Sequence, residues 1–328
     1  MPATEPAGSP CRKVKPAHPA TRTAAASVRT AAVRAGLTRP VNPLPEKATN
    51  RIQRTTHEER RAALGSDMFL AVDIGNTNVT LGLYDGETLG PRWRLATENE
   101  KTPDEYGILM LVLFEHEGIS AADIQAIAIA SVVPPLTRTF VEACRQYLAC
   151  EPLVIDGTSK TGVLVRYEDP AQVGADRIVD AAAAYRLYGG PACIVDFGTA
   201  TTFDAISSNG DYLGGAIAPG IGIASEALFQ RTAKLPKVEL RRPPAAIGRN
   251  TVHSLQSGLL FGYVGLVEGM VTRFCSELGP GTRVIGTGGL AEIIAKETKI
   301  ISIVAPWLTL DGLRMIYELN AVGPQKTK

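Results

Sequence analysis

A short stretch of the chain occurs twice, and this repeat constrains the fold more than any other feature. Residues 71–77 read AVDIGNT and residues 194–200 read IVDFGTA, 123 positions later. In each copy an apolar strand runs into Val-Asp-x-Gly, small polar residues follow, and an alternating strand returns. Two copies of one supersecondary unit predict two similar domains that face each other.

Turns of this kind suit phosphate binding. A tight turn after a strand directs several backbone N–H groups into one concavity, and glycine permits the close approach of a phosphate. The carboxylate at the strand end, Asp73 or Asp196, can hold Mg²⁺ or its water shell. For one copy alone, a hairpin turn with an exposed aspartate is the preferred explanation. A third glycine turn, GTGGLA, follows at 286–291. Together the three turns, in this order, favour phosphate binding and predict a nucleotide between two domains.

The stretch YEDPAQVGADR, residues 167–177, carries the residues that an acceptor alcohol would need. Phosphoryl transfer to an alcohol requires a carboxylate near the hydroxyl and a cation that fixes the acceptor. Asp176 is the candidate base, and Arg177 can hold an acceptor carboxylate in a two-pronged grip. The structural alternative is that Asp176 caps the helix that follows and that Arg177 forms a salt bridge with it.

Charge divides the chain into two unlike parts. Residues 1–67 carry 12 Lys or Arg against 5 Asp or Glu, with eight prolines, whereas the remainder carries 22 against 28. The first part lacks a sustained apolar period, so we predict a disordered basic leader. It is interpreted as a transit peptide, as a tail that touches nucleic acid or a membrane surface, or, as we favour, as a segment outside the working protein, with translation starting at Met68.

Other classes of protein are disfavoured. The five cysteines form no CxxC pair and the four histidines show no metal spacing, which speaks against a disulfide framework or a zinc site and favours a reducing cytoplasm. No uninterrupted apolar run approaches the ~18 residues of a membrane span, so no membrane is expected. The net charge of +1 gives no reason to expect nucleic acid as a partner.

The pattern from Met68 onward alternates strands and helices, as in an α/β protein. Thr102, Pro103 and Glu105 predict a capped helix start. Asn209-Gly210 predicts a hairpin turn. The strands are predicted at 68–73, 79–84, 91–96, 124–133 and 152–156, in a hairpin-linked set within 192–220, and at the start of 283–297. The helices are predicted at 103–117, 134–149, 174–189, 222–233, 251–278, at the end of 283–297 and at 309–320.

Two further motifs have open interpretations. Gly258, Gly262, Gly265 and Gly269 recur at helical intervals, which favours close helix packing, as in a dimer contact, over a binding site. The stretch RTAKLP at 231–236 is either a plain surface loop or a means of bringing Thr232 to a substrate.

These motifs together resemble the type III pantothenate kinases, within the superfamily of acetate and sugar kinases, 70-kDa heat-shock chaperones and actin. The resemblance covers essentially everything after Met68. It rests on DIGNTN (73–78), VGADR (173–177), DFGTATTFD (196–204), GGAIAPG (214–220), RTAKLP (231–236), IGRNTVHSLQSG (247–258), GTGGLA (286–291) and LTLDGLRMIYE (308–318).

The resemblance implies two ribonuclease-H-like domains, 68–188 and 189–328, with an ATP cleft between them. It implies the ATP-dependent phosphorylation of pantothenate to 4′-phosphopantothenate, the first step of coenzyme A biosynthesis. It further implies Mg²⁺, a monovalent cation (K⁺ or NH₄⁺), and a cytoplasmic homodimer. The alternatives are another small-molecule kinase of the superfamily and a transcriptional accessory protein of the same fold.

The resemblance also implies roles for individual residues. Asp176 matches the proton acceptor, Asp196 the ligand of the monovalent cation, and Thr199 an ATP contact. The first phosphate stretch corresponds to Asp73, Ile74, Gly75, Asn76, Thr77, Asn78, Val79 and Thr80. The pantothenate contacts correspond to Tyr167, Gly174, Ala175, Asp176, Arg177 and Thr232, the last thought to act near a dimer interface.

Overall fold

The computed structural model describes residues 67–321, which belong to one compact unit. The predicted basic leader therefore lies outside the described residues, except for its last residue, Asp67. The domain boundary after residue 188 remains a prediction.

The first half of the described chain forms a five-stranded sheet. Met68–Ile74 (β1) pairs antiparallel with Asn78–Asp85 (β2), which pairs antiparallel with Thr88–Ala96 (β3). On its other side β1 pairs parallel with Ile124–Ser131 (β4), and β4 pairs parallel with Leu153–Val154 (β5). The strand order is β3-β2-β1-β4-β5.

The second half repeats this plan. The order is β8-β7-β6-β9-β10, with the same antiparallel pairs and the same parallel pairs at the corresponding places. This duplication, expected of two ribonuclease-H-like units, confirms the predicted fold class and the predicted repeat. The strands are Ala192–Phe197 (β6), Ala200–Ile206 (β7), Tyr212–Pro219 (β8), Arg283–Thr287 (β9) and Ile303–Val304 (β10).

Seven α-helices connect and cover the strands in residues 67–321. Their bounds lie within two residues of the predicted ones, apart from the short helix within 283–297, for which only the combined range was predicted. They are Pro103–His116 (α1), Pro134–Leu148 (α2), Ala175–Tyr188 (α3), Ile221–Arg231 (α4), Thr251–Leu278 (α5), Ala291–Ala295 (α6) and Leu308–Ala321 (α7).

The start of α1 shows how local sequence sets these bounds. The hydroxyl of Thr102 accepts a hydrogen bond from the backbone N–H of Glu105, and the Glu105 carboxylate accepts one from the backbone N–H of Thr102. This reciprocal cap satisfies backbone donors that the first helical turn leaves without partners. The cap predicted from Thr102 and Glu105 is therefore confirmed.

Helices α3 and α7 lie between the two sheets and pack against both. Val179 of α3 and Leu310, Leu313 and Ile316 of α7 join the core against β1 and β4. Ala181, Ala183 and Ala184 of α3, with Leu308 and Met315 of α7, join the core against β6 and β9. The alanines allow this double contact because they let α3 approach both sheets closely. The outer faces of the sheets carry separate cores, with α1 and α2 on the first and α5 and α6 on the second.

Helix α5 is long and apolar, although the sequence analysis predicted no membrane span. Within residues 67–321 it is the one helix long and apolar enough to cross a membrane by length and composition alone, which is a weak indication. Scattered polar residues such as Gln256 and Glu268 interrupt its apolar runs, so the helix contains no uninterrupted apolar run as long as a membrane span. One face, with Leu260, Val267 and Val271, is buried in the core of the second half.

Candidate active site

The two repeated turns meet in the folded chain. One turn joins β1 to β2 and the other joins β6 to β7, and the hydroxyl oxygens of Thr77 and Thr199 lie 2.7 Å apart. Within the first turn, the Gly75 backbone N–H donates to the Asn78 carbonyl at 3.0 Å. The structure thus brings together the two predicted phosphate turns, which face each other as the repeat predicted.

The predicted phosphate stretch divides into two kinds of residue. Ile74 and Val79 are fully buried, so their side chains belong to the core and only their backbone can face a ligand. The side chains of Asn76, Thr77 and Asn78 are exposed at the turn. The donors that this stretch offers to a phosphate are therefore backbone N–H groups and the three short polar side chains.

Four aspartates converge on this region. Asp73 and Asp196 lie at the ends of β1 and β6, and Asp176 and Asp180 lie one turn apart on α3. Burial, and to a smaller extent the negative charges of Asp176 and Asp196, raises the pKa of Asp73 to about 8. Burial, and to a smaller extent the negative charges of Asp176 and Asp204, raises the pKa of Asp196 to about 7. Because burial and the neighbouring negative charges disfavour ionisation, the cluster retains protons near neutral pH unless a bound cation stabilises the carboxylates.

Asp180 is the most deeply buried of the four and was not predicted. Its side chain is 3% exposed, and one carboxylate oxygen lacks a hydrogen-bond partner among the described residues. Burial, and to a smaller extent the negative charge of Asp196, holds the pKa of Asp180 well above the usual value. Its place one helical turn after Asp176 was the sequence signal that could have identified it.

The donor set fits a magnesium ion that arrives with a nucleotide. Within residues 67–321 no group of three or more His, Cys, Asp or Glu side chains forms a ready-made metal cage. Mg²⁺ keeps several waters and is usually held by one or two carboxylates together with phosphate oxygens. Asp73, at the end of β1, supplies a carboxylate of this kind.

The third glycine turn lies directly on the end of β6. Gly288 has a φ of +83°, and a Cβ atom placed there would lie 2.3 Å from Oδ1 of Asp196. Its neighbour Gly289 is approached by Arg94 of β3, whose Nη1 would lie 3.2 Å from a Cβ atom at that position. The GTGG turn therefore borders the site aspartates, and Arg94 is a second residue near this site that was not predicted.

Arg177 forms its salt bridge with Asp204 and not with Asp176. Its Nε donates to Oδ1 of Asp204 at 2.8 Å, and Nη2 lies 2.6 Å from the same oxygen. The Tyr212 hydroxyl also donates to that oxygen, at 2.9 Å. The helix cap is Gly174, while Asp176 accepts a hydrogen bond from the Arg177 backbone N–H. The alternative of an Asp176 cap with an Asp176–Arg177 salt bridge is therefore wrong, because the buried Asp204 was not foreseen.

Most of the predicted pantothenate contacts form one group beside β8. The Tyr167 ring lies 6.4 Å from that of Tyr212, and the Arg177 guanidinium lies 5.8 Å from the Tyr212 ring. Gly214 leaves room for Tyr167, and Gly215 leaves room for Arg177. Gly174, Ala175 and Asp176 begin the helix that carries Arg177.

Thr232 is not part of this group in the single chain. It is exposed at the end of α4, and its hydroxyl donates to the Leu228 carbonyl of the same helix at 2.7 Å. Among residues 67–321, no hydrogen bond or ion pair joins it to Tyr167 or Arg177. A role for Thr232 at this site therefore remains a prediction.

Comparison with known proteins places these features in a family. Residues 69–273 match the type III pantothenate kinase family. The type III pantothenate kinase of Moorella thermoacetica is 54% identical over 253 residues, which are 77% of this chain and 100% of that protein. The type III pantothenate kinase of Roseiflexus sp. is 53% identical over 253 residues, 77% of this chain and 99% of that protein.

A solved structure of a Baf family transcriptional activator from Campylobacter jejuni is also similar. It is 20% identical, covers 77% of this chain and 98% of its own, and has a TM-score of 0.45. A similarity of this size carries no argument about activity. The family match and the curated relatives decide the assignment: the chain belongs to the type III pantothenate kinase family.

Proposed function

We propose that the protein transfers the γ-phosphoryl group of ATP to the primary hydroxyl of pantothenate, giving 4′-phosphopantothenate for coenzyme A biosynthesis. The observation that carries the proposal is the meeting of the two repeated turns at Thr77 and Thr199, beside the aspartates of β1, β6 and α3. Family membership supports both the reaction and the substrate.

In this proposal the ATP phosphates bind between the facing turns. Backbone N–H groups of the first turn other than that of Gly75, together with the hydroxyls of Thr77 and Thr199, would donate to phosphate oxygens. Asp73 would hold Mg²⁺ through its water shell, and Asp196 would hold K⁺ or NH₄⁺. Bound cations would offset the negative charge that spreads over the transferred phosphoryl group.

Asp176 is proposed as the proton acceptor. The pantothenate oxygen forms a bond to the γ-phosphorus as the bond to the ADP oxygen breaks, and the hydroxyl proton passes to the Asp176 carboxylate. Burial raises the pKa of Asp176, while the hydrogen bond from the Arg177 backbone N–H opposes that rise. General-base assistance is typically worth about 10²–10⁴-fold, so positioning and electrostatics supply most of the rate.

We propose that Arg177 positions pantothenate by binding its carboxylate along one edge of the guanidinium. The edge formed by Nε and Nη2 faces Asp204, so a substrate carboxylate would meet the Nη1 side. The ion pair holds the guanidinium in one orientation before the substrate arrives, which lowers the entropy cost of binding. Tyr167, partly exposed beside it, would cover the bound substrate.

The protein is further proposed to be a cytoplasmic homodimer without nucleic acid or membrane partners. A Cβ atom at Gly258, Gly262 or Gly265 of α5 would meet nothing within 4 Å, so this side of the helix has room for a second chain. Ile217 and Leu213 on β8 are exposed large apolar residues. A partner chain could also bring its own loop near Tyr167, as Thr232 would require.

Steady-state ADP release by the full chain tests this function. ATP, Mg²⁺ and K⁺ are supplied with and without pantothenate, and wild type is compared with Asp176→Asn. We expect turnover that depends on pantothenate and a kcat for Asp176→Asn that falls by about 10²-fold or more, with a smaller change in KM. Asp104→Asn, on α1, is the control and should retain activity. An unchanged kcat in Asp176→Asn would remove Asp176 as the base, and a folded wild type without turnover would remove pantothenate as the substrate.

A further inference from the structure

Arg94 is aligned with the site aspartate of β1 through the register of the first sheet. Asp73 pairs with Thr80 on β2, and Thr80 pairs with Arg94 on β3. Side chains directly opposite each other on neighbouring strands project from the same face of a sheet. The flanking Trp93 and Leu95 pack into the outer core, on the opposite face. Arg94 therefore projects from the face that carries Asp73.

The Arg94 side chain reaches the other half of the chain. Its Nη1 would lie 3.2 Å from a Cβ atom on Gly289, in the GTGG turn after β9. A residue of the first sheet thus reaches a turn of the second, 195 positions away.

Arg94 has no acidic partner within the described part of the chain. The ion pairs there involve seven other basic residues, and none joins Arg94 to a carboxylate within 4.0 Å. Its neighbour on the same face, Arg92, instead lies over the Trp307 ring at 4.8 Å. Arg94 is therefore an exposed cation that borders two of the three glycine turns and retains its hydrogen-bond donors for a ligand.

We propose that Arg94 binds the polyphosphate of the nucleotide and links the two halves of the cleft when ATP is bound. The proposal rests on the function proposed above. Apart from Arg94, the donors described at the turns are neutral N–H and O–H groups, whereas ATP brings several negative charges. A guanidinium forms paired, charge-assisted hydrogen bonds with phosphate oxygens, which neutral donors cannot replace in strength.

Equilibrium binding to the full chain tests the proposal without depending on turnover. Isothermal titration with ATP, ADP and adenosine is compared in wild type, Arg94→Ala and Arg94→Lys. Because Arg94→Ala removes charge-assisted hydrogen bonds to the phosphates, we expect it to bind ATP and ADP roughly 10- to 100-fold more weakly. Adenosine binding should be unchanged, and Arg94→Lys should recover part of the loss because it keeps the charge without the planar geometry.

Arg92→Ala is the matched control, because Arg92 shares the strand and the face but lies over Trp307. It should bind ATP like wild type. Equal losses for adenosine and ATP in Arg94→Ala, or an unchanged ATP affinity with a lower melting temperature of the ligand-free protein, would overturn the proposal and leave Arg94 a structural contact. A wild type that binds ATP through Arg94 but does not turn over pantothenate would contradict only the proposed function.

Discussion

The side-chain hydroxyls of Thr77 and Thr199 lie 2.7 Å apart although 122 positions separate the two residues in the chain. Each hydroxyl belongs to one copy of the repeated strand–turn–strand device. The contact joins the two halves of the fold at the place where a phosphate is proposed to bind, so the ligand-free protein already holds its two repeated turns against each other.

The two threonines should be coupled in the stability of the ligand-free protein. We expect Thr77→Val and Thr199→Val each to lower the free energy of unfolding, and the double variant to lower it by less than the sum. The coupling should be about 0.5–1.5 kcal/mol, the typical net worth of one hydrogen bond. Urea denaturation of the four proteins measures it. Thr139→Val, whose hydroxyl bonds only within α2, supplies an uncoupled reference, and strictly additive losses would contradict the observed contact.

Replacement of Gly288 should damage both stability and activity. Gly288→Ala forces an L side chain to a φ of +83° and places its Cβ atom 2.3 Å from Asp196 Oδ1. Gly281→Ala is the matched control, because Gly281 has a φ of +81° and open space around it. The control should lose about 1–2 kcal/mol from backbone strain alone, and Gly288→Ala should lose more and also lower turnover. Equal losses and equal turnover in the two variants would show that the GTGG turn does not constrain Asp196.

The stability of the ligand-free protein should depend on pH through Asp73. Its pKa is about 8 in the fold and 3.8 as the ordinary value, so the folded state keeps a proton that the unfolded state releases between these values. Its contribution to stability is therefore present below about pH 4 and is lost as the pH rises to about 8. Asp73→Asn lacks this dependence, so its advantage in melting temperature over wild type should grow from pH 4 to pH 8. A constant difference across this range would contradict the raised pKa.

Helix α7 should contribute strongly to the stability of the whole described unit. Leu313 is fully buried where α7 meets the first sheet. Truncation of a buried leucine costs about 2–5 kcal/mol, so Leu313→Ala should shift the urea midpoint markedly. Leu319→Ala on the same helix, where the side chain is 43% exposed, should change the free energy of unfolding by far less. Similar shifts in both variants would mean that α7 does not pack as described.

Sequence reasoning succeeded where the signal was local. The reciprocal cap of Thr102 and Glu105 lies within one helical turn, and it fixed the start of α1 correctly. The repeat at 71–77 and 194–200 predicted two equivalent units because each copy contains its own strand, turn and returning strand. The two-residue strand β10 was missed because Ile303–Val304 is too short to show any alternation.

Sequence reasoning failed where partners come from distant parts of the chain. Asp204 lies on an ordinary alternating strand, and nothing in its neighbourhood indicates that it holds Arg177, 27 positions earlier. Arg94 reads as an exposed residue on the alternating strand β3, and its approach to Gly289 exists only after both sheets have formed. Such contacts are set by the packing of α3 and α7 between the sheets, which no local pattern specifies.

The position of α7 has a consequence for synthesis on the ribosome. Strands β1 and β4 emerge early, yet one of their faces is covered by Leu310, Leu313 and Ile316 of the last described helix. A nascent chain that ends before residue 308 would carry the whole first sheet with that face lacking its α7 cover. Chains lengthen at about 5–20 residues per second, so the first half waits on the order of ten seconds for its final layer. The protein should therefore depend on chaperones during translation more than two independent domains of the same size would.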